Sequence, residues 1–209
     1  SGQKILKFRT KKFIYLVSPL KIKKSFYNDL VKVLEEKKVS FFQLRLKNES
    51  FNRKIIIGKK IKKICKKFKV KFLVNDDVHL AKKLNTDGCH LGQKDMDIIK
   101  ARKLIQNKIV GITCHNSVKF AKKAIKDKAD YLALGAFGSS KTKKVKYFAN
   151  LNLLKKVRKL TKIPIVVIGG IDDQNYQKLL LNKANFLAIS GYIWNNKKLN
   201  PKEAINKII

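Results

Sequence analysis

In Val39–Lys47 (VSFFQLRLK) strand alternation places Gln43, Arg45 and Lys47 on one face, and Leu44 and Leu46 on the other. Three long polar side chains on one side of an apolar strand need partners, and an anionic or hydrogen-bonding ligand would supply them. Emergence of the strand end into solvent accounts for Lys47 alone. A second group is acidic. Asn75–Asp76–Asp77 closes one apolar run, and Gln93–Lys94–Asp95 follows the next. One Asp at such a place is most often a helix N-cap, and Asp77 fits that role. Adjacent strands lie about 4.8 Å apart, so Asp76 and Asp95 could share one hard cation. Magnesium held by one or two carboxylates plus phosphate oxygens is the expected mode. Helix capping competes with this reading on spacing alone.

Two further stretches suit phosphate. Ser139–Ser140–Lys141–Thr142–Lys143–Lys144 alternates hydroxyl and ammonium groups. Gly169–Gly170 and Ile189–Ser190–Gly191 end two later apolar runs, where backbone N–H groups can approach an anion. The remaining reactive residue types read more blandly. His90 is expected to be a satisfied core or rim histidine and His79 a surface residue. His115 divides evenly between packing and catalysis. Cys114 has no base partner in the sequence and reads as a small filler.

The elements that position these groups alternate regularly. Apolar, strand-like runs cover 13–18, 39–45, 70–75, 88–91, 109–113, 131–135, 164–168 and 186–190. Helical patterns follow at 25–38, 51–68, 78–84, 95–106, 116–126, 150–160, from Asp172 or Asp173 to 181, and 201–209. Eight strand–helix units without a Pro/Gly/Ser linker predict an α/β fold, a (β/α)8 TIM barrel in a single domain over residues 1–209. A doubly wound open sheet is the alternative. In the barrel, all the groups above fall just after strands, on the C-terminal rim.

Composition narrows the function classes. The net charge is +36, which suggests nucleic acid. The basic residues, however, are 45 Lys against 5 Arg, and Arg is the residue that reads bases and grips phosphate bidentately. The lysines are spread along the chain on polar helix faces, so no specific nucleic-acid partner is expected, although the field attracts anionic substrates. No apolar run approaches the ~20 residues of a membrane span, so no membrane partner is expected either. Three Cys without C-x-x-C spacing argue against a disulfide framework or a zinc site and for a reduced, cytoplasmic protein.

Taken in order, QLRLK (43–47), VNDD (74–77), DGCHLGQKDM (87–96), GITCH (111–115), SSKTKK (139–144), IGGI (168–171) and AIS (188–190) resemble the thiamine phosphate synthase family over nearly the whole chain. That family joins a hydroxymethylpyrimidine diphosphate to a thiazole phosphate, or its carboxylate, and releases diphosphate. The resemblance implies that Gln43, Leu44, Arg45, Leu46, Lys47 and Asn75 hold the pyrimidine diphosphate. It implies Asp76 and Asp95 as Mg²⁺ ligands, and Thr113 and Lys143 at the diphosphate, with Arg45, Lys143 and Thr113 as the catalytic set. Ser140, Lys141, Thr142, Gly170, Ile189 and Ser190 would contact the thiazole phosphate. Family members are often homo-oligomers. Leu46 stands where the family usually has Glu, Thr113 where Ser is common, and Ala136–Ser139 where a proline-containing loop is usual. The rival readings are a related thiazole tautomerase without the metal carboxylates, a basic nucleic-acid-binding protein, and a barrel that binds thiazole phosphate without turnover.

Overall fold

Each βα unit forms for a local reason, and the units close on one another. The computed structural model describes residues 12–138 and 146–208. The strands are β1 (Ile14–Val17), β2 (Val39–Leu44), β3 (Lys71–Asn75), β4 (Gly88–Leu91), β5 (Ile109–Thr113), β6 (Tyr131–Gly135), β7 (Ile165–Ile168) and β8 (Phe186–Ile189). All pair in parallel in sequence order, and β8 returns to β1, giving a closed eight-stranded barrel. The expected barrel is thereby observed, and the alternative open sheet is excluded.

The helices are α1 (Phe26–Glu35), α2 (Phe51–Lys67), α3 (Val78–Leu84), α4 (Ile98–Ile105), α5 (Val118–Lys126), α6 (Leu151–Leu160), α7 (Tyr176–Leu181), α8 (Gly191–Trp194) and α9 (Pro201–Asn206). Side chains of Ser50, Asp77, Asp97, Ser117 and Asn150 accept from the backbone N–H three residues on, which starts five of these helices at a defined residue. Asn200 and Glu203 form a reciprocal capping box ahead of α9, with Pro201 in its first turn.

Three boundaries differ from expectation. The helix expected from Asp95 begins at Ile98, because the Asp95 carboxylate turns back to the Gly92 N–H and Asp97 takes the cap. The helix expected from Asp172 or Asp173 begins at Tyr176. There Asp172 Oδ1 accepts from Gln174 and Asn175 and closes a turn instead. The short α8 after β8 was not expected. It begins at Gly191, a weak helix former, and spans a single turn.

Two cores follow from strand alternation. Outward residues such as Leu16, Phe42, Leu44, Val74, Leu91, Leu134 and Ile189 pack under the helices. Inward residues Tyr15, Leu73, Tyr131, Ala133, Val166 and Ala188 fill the barrel, with Phe41, Ile109 and Phe186 packed against them. Gly111 makes room for this filling: a Cβ there would lie 1.9 Å from Cζ of the Tyr131 ring. The interior is therefore packed with rings, and the open ground lies above it at the strand ends.

Candidate functional site

The end of β2 delivers its polar residues inward, as alternation requires. Gln43 is 5% exposed, and its Nε2 donates to the Tyr15 hydroxyl at 2.8 Å. Arg45 follows the strand; its backbone N–H donates to Ser18 Oγ at 2.9 Å, tying the β1 and β2 ends together. Its guanidinium is partly withdrawn from water, which lowers its pKa, while the Asp76 carboxylate opposes that shift. Lys47 is exposed, with its N–H donating to the Leu20 carbonyl. Leu44 and Leu46 pack toward the helices, so only their backbones face the rim.

The acidic groups meet beside Arg45. Asp76 adopts a left-handed conformation (φ 58°), and its N–H donates to the His90 carbonyl at 2.7 Å. This contact fastens the end of β3 to β4. Asn75 Nδ2 lies 3.4 Å from Asp76 Oδ2. Asp77 caps α3 and lies 4.0 Å from Lys54 Nζ. The Asp95 carboxylate accepts from Gly92 N–H at 2.6 Å. Loss of hydration and then the charge of Asp95 push the Asp76 carboxyl above the usual carboxylate range, against the pull of Lys54 and Arg45. A neighbouring carboxylate makes ionisation of Asp76 costlier, and a divalent cation held by Asp76 and Asp95 together would offset that cost. Among the described residues no three His, Cys, Asp or Glu are placed to hold one metal ion together, so the remaining ligands of such an ion would be water or phosphate oxygens.

Beside these groups lies His90, which the sequence reading left as a satisfied core or rim histidine. His90 Nε2 lies 2.7 Å from Thr113 Oγ1 and its Nδ1 2.7 Å from the Tyr131 hydroxyl. It is a satisfied rim histidine, as expected, and burial pushes its pKa down to about 4. Gln93 Nε2 donates to the Thr113 carbonyl at 2.7 Å and holds the end of β5. Gln93, Tyr15, Tyr131 and Ser18 all support the site without having stood out in the sequence. A tyrosine in a strand carries no signal separating it from ordinary core.

The opposite side of the mouth is made of backbone. Gly169 (φ 89°) and Gly170 (φ 66°) take conformations that side chains resist. A Cβ on Gly170 would lie 2.5 Å from the Gly138 carbonyl carbon. Asn175 Nδ2 donates to the Gly170 carbonyl at 2.8 Å, and its Oδ1 accepts from Asp172, fixing the loop. Ser190 ends β8 with its hydroxyl 3.2 Å from the Ser18 carbonyl, while the Ile189 side chain is buried under the helices. Ser140, Lys141, Thr142 and Lys143 lie outside the described residues.

The last two reactive residues are packed rather than poised. His115 stacks on Tyr147 with ring centroids 4.1 Å apart, and burial lowers its pKa. Cys114 is buried, with its thiol pushed up to about 12. His79 is exposed.

The family model described as thiamine monophosphate synthase matches residues 14–193, which span all eight strands and both sides of this mouth. The chain belongs to that family. A thiamine-phosphate synthase of Pelagibacter ubique (strain HTCC1062) is 69% identical over 199 residues, covering 95% of this chain and 96% of that protein. One of Erythrobacter litoralis (strain HTCC2594) is 38% identical over 186 residues, 87% of each chain. The structure described as thiamine phosphate pyrophosphorylase from Pyrococcus furiosus superposes with a TM-score of 0.83 at 27% identity, covering 95% and 94% of the two chains. The thiamine monophosphate synthase family thus accounts for the barrel and for the ordered motifs along it. No described helix is long and apolar enough to cross a membrane.

Proposed function

We propose that this enzyme joins a hydroxymethylpyrimidine diphosphate to a thiazole phosphate, forming thiamine phosphate and diphosphate. The observation that carries the reading is the pairing of Asp76 with Asp95 beside the Arg45 guanidinium, at the open end of the barrel. In the reaction the bond from the pyrimidine methylene carbon to the diphosphate oxygen breaks, and the oxygen keeps the electron pair. The thiazole nitrogen then forms the new bond to that carbon and becomes cationic. No proton has to move at the reacting atoms, which suits a site whose His90 is held neutral and whose Cys114 is held as a thiol.

The work left to the protein is alignment and charge stabilisation. Gln43 and Asn75 face the mouth where a pyrimidine would be held. Arg45 supplies positive charge that deepens its interaction as the leaving group separates. The Thr113 hydroxyl faces the same space. Mg²⁺ held by Asp76 and Asp95 would supply further charge neutralisation to the departing diphosphate. Ser140, Lys141, Thr142 and Lys143 are assigned to phosphate and diphosphate by resemblance, with Lys143 as the second cationic catalytic group. On the far side, Gly170, Ser190 and the Ile189 backbone would receive the thiazole phosphate, and Lys47 and the Leu44 and Leu46 backbones would border the diphosphate. The free, buried thiols of all three cysteines support a cytoplasmic location.

Incubation of the protein with both substrates, with and without Mg²⁺, tests the reading through mass detection of thiamine phosphate and measured diphosphate release. Mg²⁺-dependent appearance of both is expected. A thiazole tautomerase would give neither product, and their absence at full metal loading would overturn the proposal.

A further inference from the structure

The barrel interior holds a continuous hydrogen-bonded chain whose three middle members no step of the condensation uses. Gln43 Nε2 reaches the Tyr15 hydroxyl at 2.8 Å, and Tyr15 reaches the Tyr131 hydroxyl at 2.7 Å. Tyr131 reaches His90 Nδ1 at 2.7 Å, and His90 Nε2 reaches Thr113 Oγ1 at 2.7 Å. Five residues from β2, β1, β6, β4 and β5 thus connect two places on the mouth through the packed interior. Tyr15 is 1% exposed, Tyr131 4% and His90 8%, so water does not complete their hydrogen bonding.

Counting hydrogens gives the chain a direction. Gln43 Nε2 can only donate, so Tyr15 passes its one hydrogen to Tyr131. Tyr131 then passes its own to His90 Nδ1. Neutral His90 consequently carries its proton on Nε2 and donates to Thr113 Oγ1. The Thr113 hydrogen is left to point into the mouth, where a phosphate oxygen could accept it. With the Gln43 amide turned over, every hydrogen would run the opposite way. Thr113 would then donate to His90 and show only lone pairs to the mouth, which repel an anion. The same amide orientation leaves Gln43 with a free carbonyl oxygen and one free N–H side by side. That pair complements the adjacent donor and acceptor on the edge of an aminopyrimidine.

We propose that Tyr15, Tyr131 and His90 are positioning residues that lock the Thr113 hydroxyl as a donor toward diphosphate when an aminopyrimidine engages Gln43. This rests on the reading above that Thr113 faces the diphosphate. Its consequence is reciprocal coupling: pyrimidine occupancy at one end tightens anion binding at the other, and the reverse.

The coupling can be read without turnover. Calorimetric titration of the Mg²⁺-loaded protein with inorganic diphosphate is done with and without saturating 4-amino-5-hydroxymethyl-2-methylpyrimidine. The pyrimidine is expected to tighten diphosphate about 3- to 10-fold, the net worth of one hydrogen bond gained or misaligned. Tyr131→Phe keeps the ring and removes one link, and is expected to bring that factor close to one. Thr113→Val is expected to abolish it as well, with no further change on adding Tyr131→Phe. Undiminished coupling in Tyr131→Phe, or additive losses in the double variant, would overturn the proposal. Should the variant fold poorly, ¹⁵N NMR of the histidine rings in the unaltered protein saturated with the pyrimidine decides the direction: His90 protonated on Nε2 is required there, and protonation on Nδ1 refutes it. Thiamine phosphate formation alongside uncoupled binding would sink the relay alone, whereas failure of the condensation assay would sink the functional reading itself.

Discussion

The rim over β2 to β5 and the rim over β7 and β8 face each other across one mouth, yet they are built from different parts. The first presents side chains: Gln43, Arg45, Asn75, Asp76, Asp95 and Thr113, with the Arg45 and Asp76 pKa values shifted first by loss of hydration and then by neighbouring charge. The second presents main chain, at Gly169 and Gly170 in left-handed conformations and at Ser190, where a helical turn begins. Charge concentrated in side chains suits a group whose charge changes during reaction, because each contact can strengthen as bonds break. Backbone N–H groups on a fixed loop suit an anion that keeps its charge throughout. Under the proposed function, the contrast gives reaction to one side and retention to the other.

The largest effect expected from breaking this contrast is at Asp76. Asp76→Asn keeps the shape of the side chain and is expected to lower Mg²⁺-dependent turnover about 100- to 1000-fold, measured as diphosphate release. A loss under tenfold would move the metal elsewhere. Next comes Gly170→Ala, where the added carbon meets the Gly138 backbone at a positive φ. A stability loss of about 1–3 kcal/mol is expected in urea titration, with KM for thiazole phosphate raised more than kcat falls.

His90 offers a pH test that belongs to the side-chain rim alone. Its pKa is about 4 in the folded protein, below the ordinary histidine value near 6.5. Below pH 6.5 the unfolded chain takes up a proton that the folded chain refuses. Stability is therefore whole above pH 6.5 and falls as pH drops toward 4, by at most about 1.4 kcal/mol per unit from this group. Comparing urea midpoints of the unaltered protein and His90→Asn across that window should show a shallower slope in the variant. The smallest effect is expected on the main-chain rim: Ser190→Ala removes one hydroxyl and is expected to raise KM for thiazole phosphate about 2- to 5-fold with kcat nearly unchanged.

How legible each part was in the sequence follows from the same division. Strands such as Gly88–Leu91, Ile109–Thr113 and Tyr131–Gly135 have the bounds read from the sequence, because short, mostly apolar runs between polar and turn-forming residues mark strands. The grouping of Arg45, Asp76 and Asp95 was legible because each follows a separate strand, and a parallel barrel brings its strand ends to one rim. The supports were not. Tyr15 and Tyr131 are 116 residues apart, and only barrel closure brings their hydroxyls together. Asn175 looks like any polar residue before a helix until its amide is seen holding Gly170. Asp95 and Asp172 misled about helix starts because a carboxylate that could cap a helix can equally close a tight turn one or two residues earlier.

The empty Cα of Gly111 has a wider reach than its local fit to the Tyr131 ring. By letting that ring occupy the axis, it makes the cylinder a blind vessel with one doorway. Two reactants and two products must pass through the same opening. If the pyrimidine rests against Gln43 at the floor, as proposed, it is expected to arrive before its co-reactant, an order that product-inhibition kinetics would reveal.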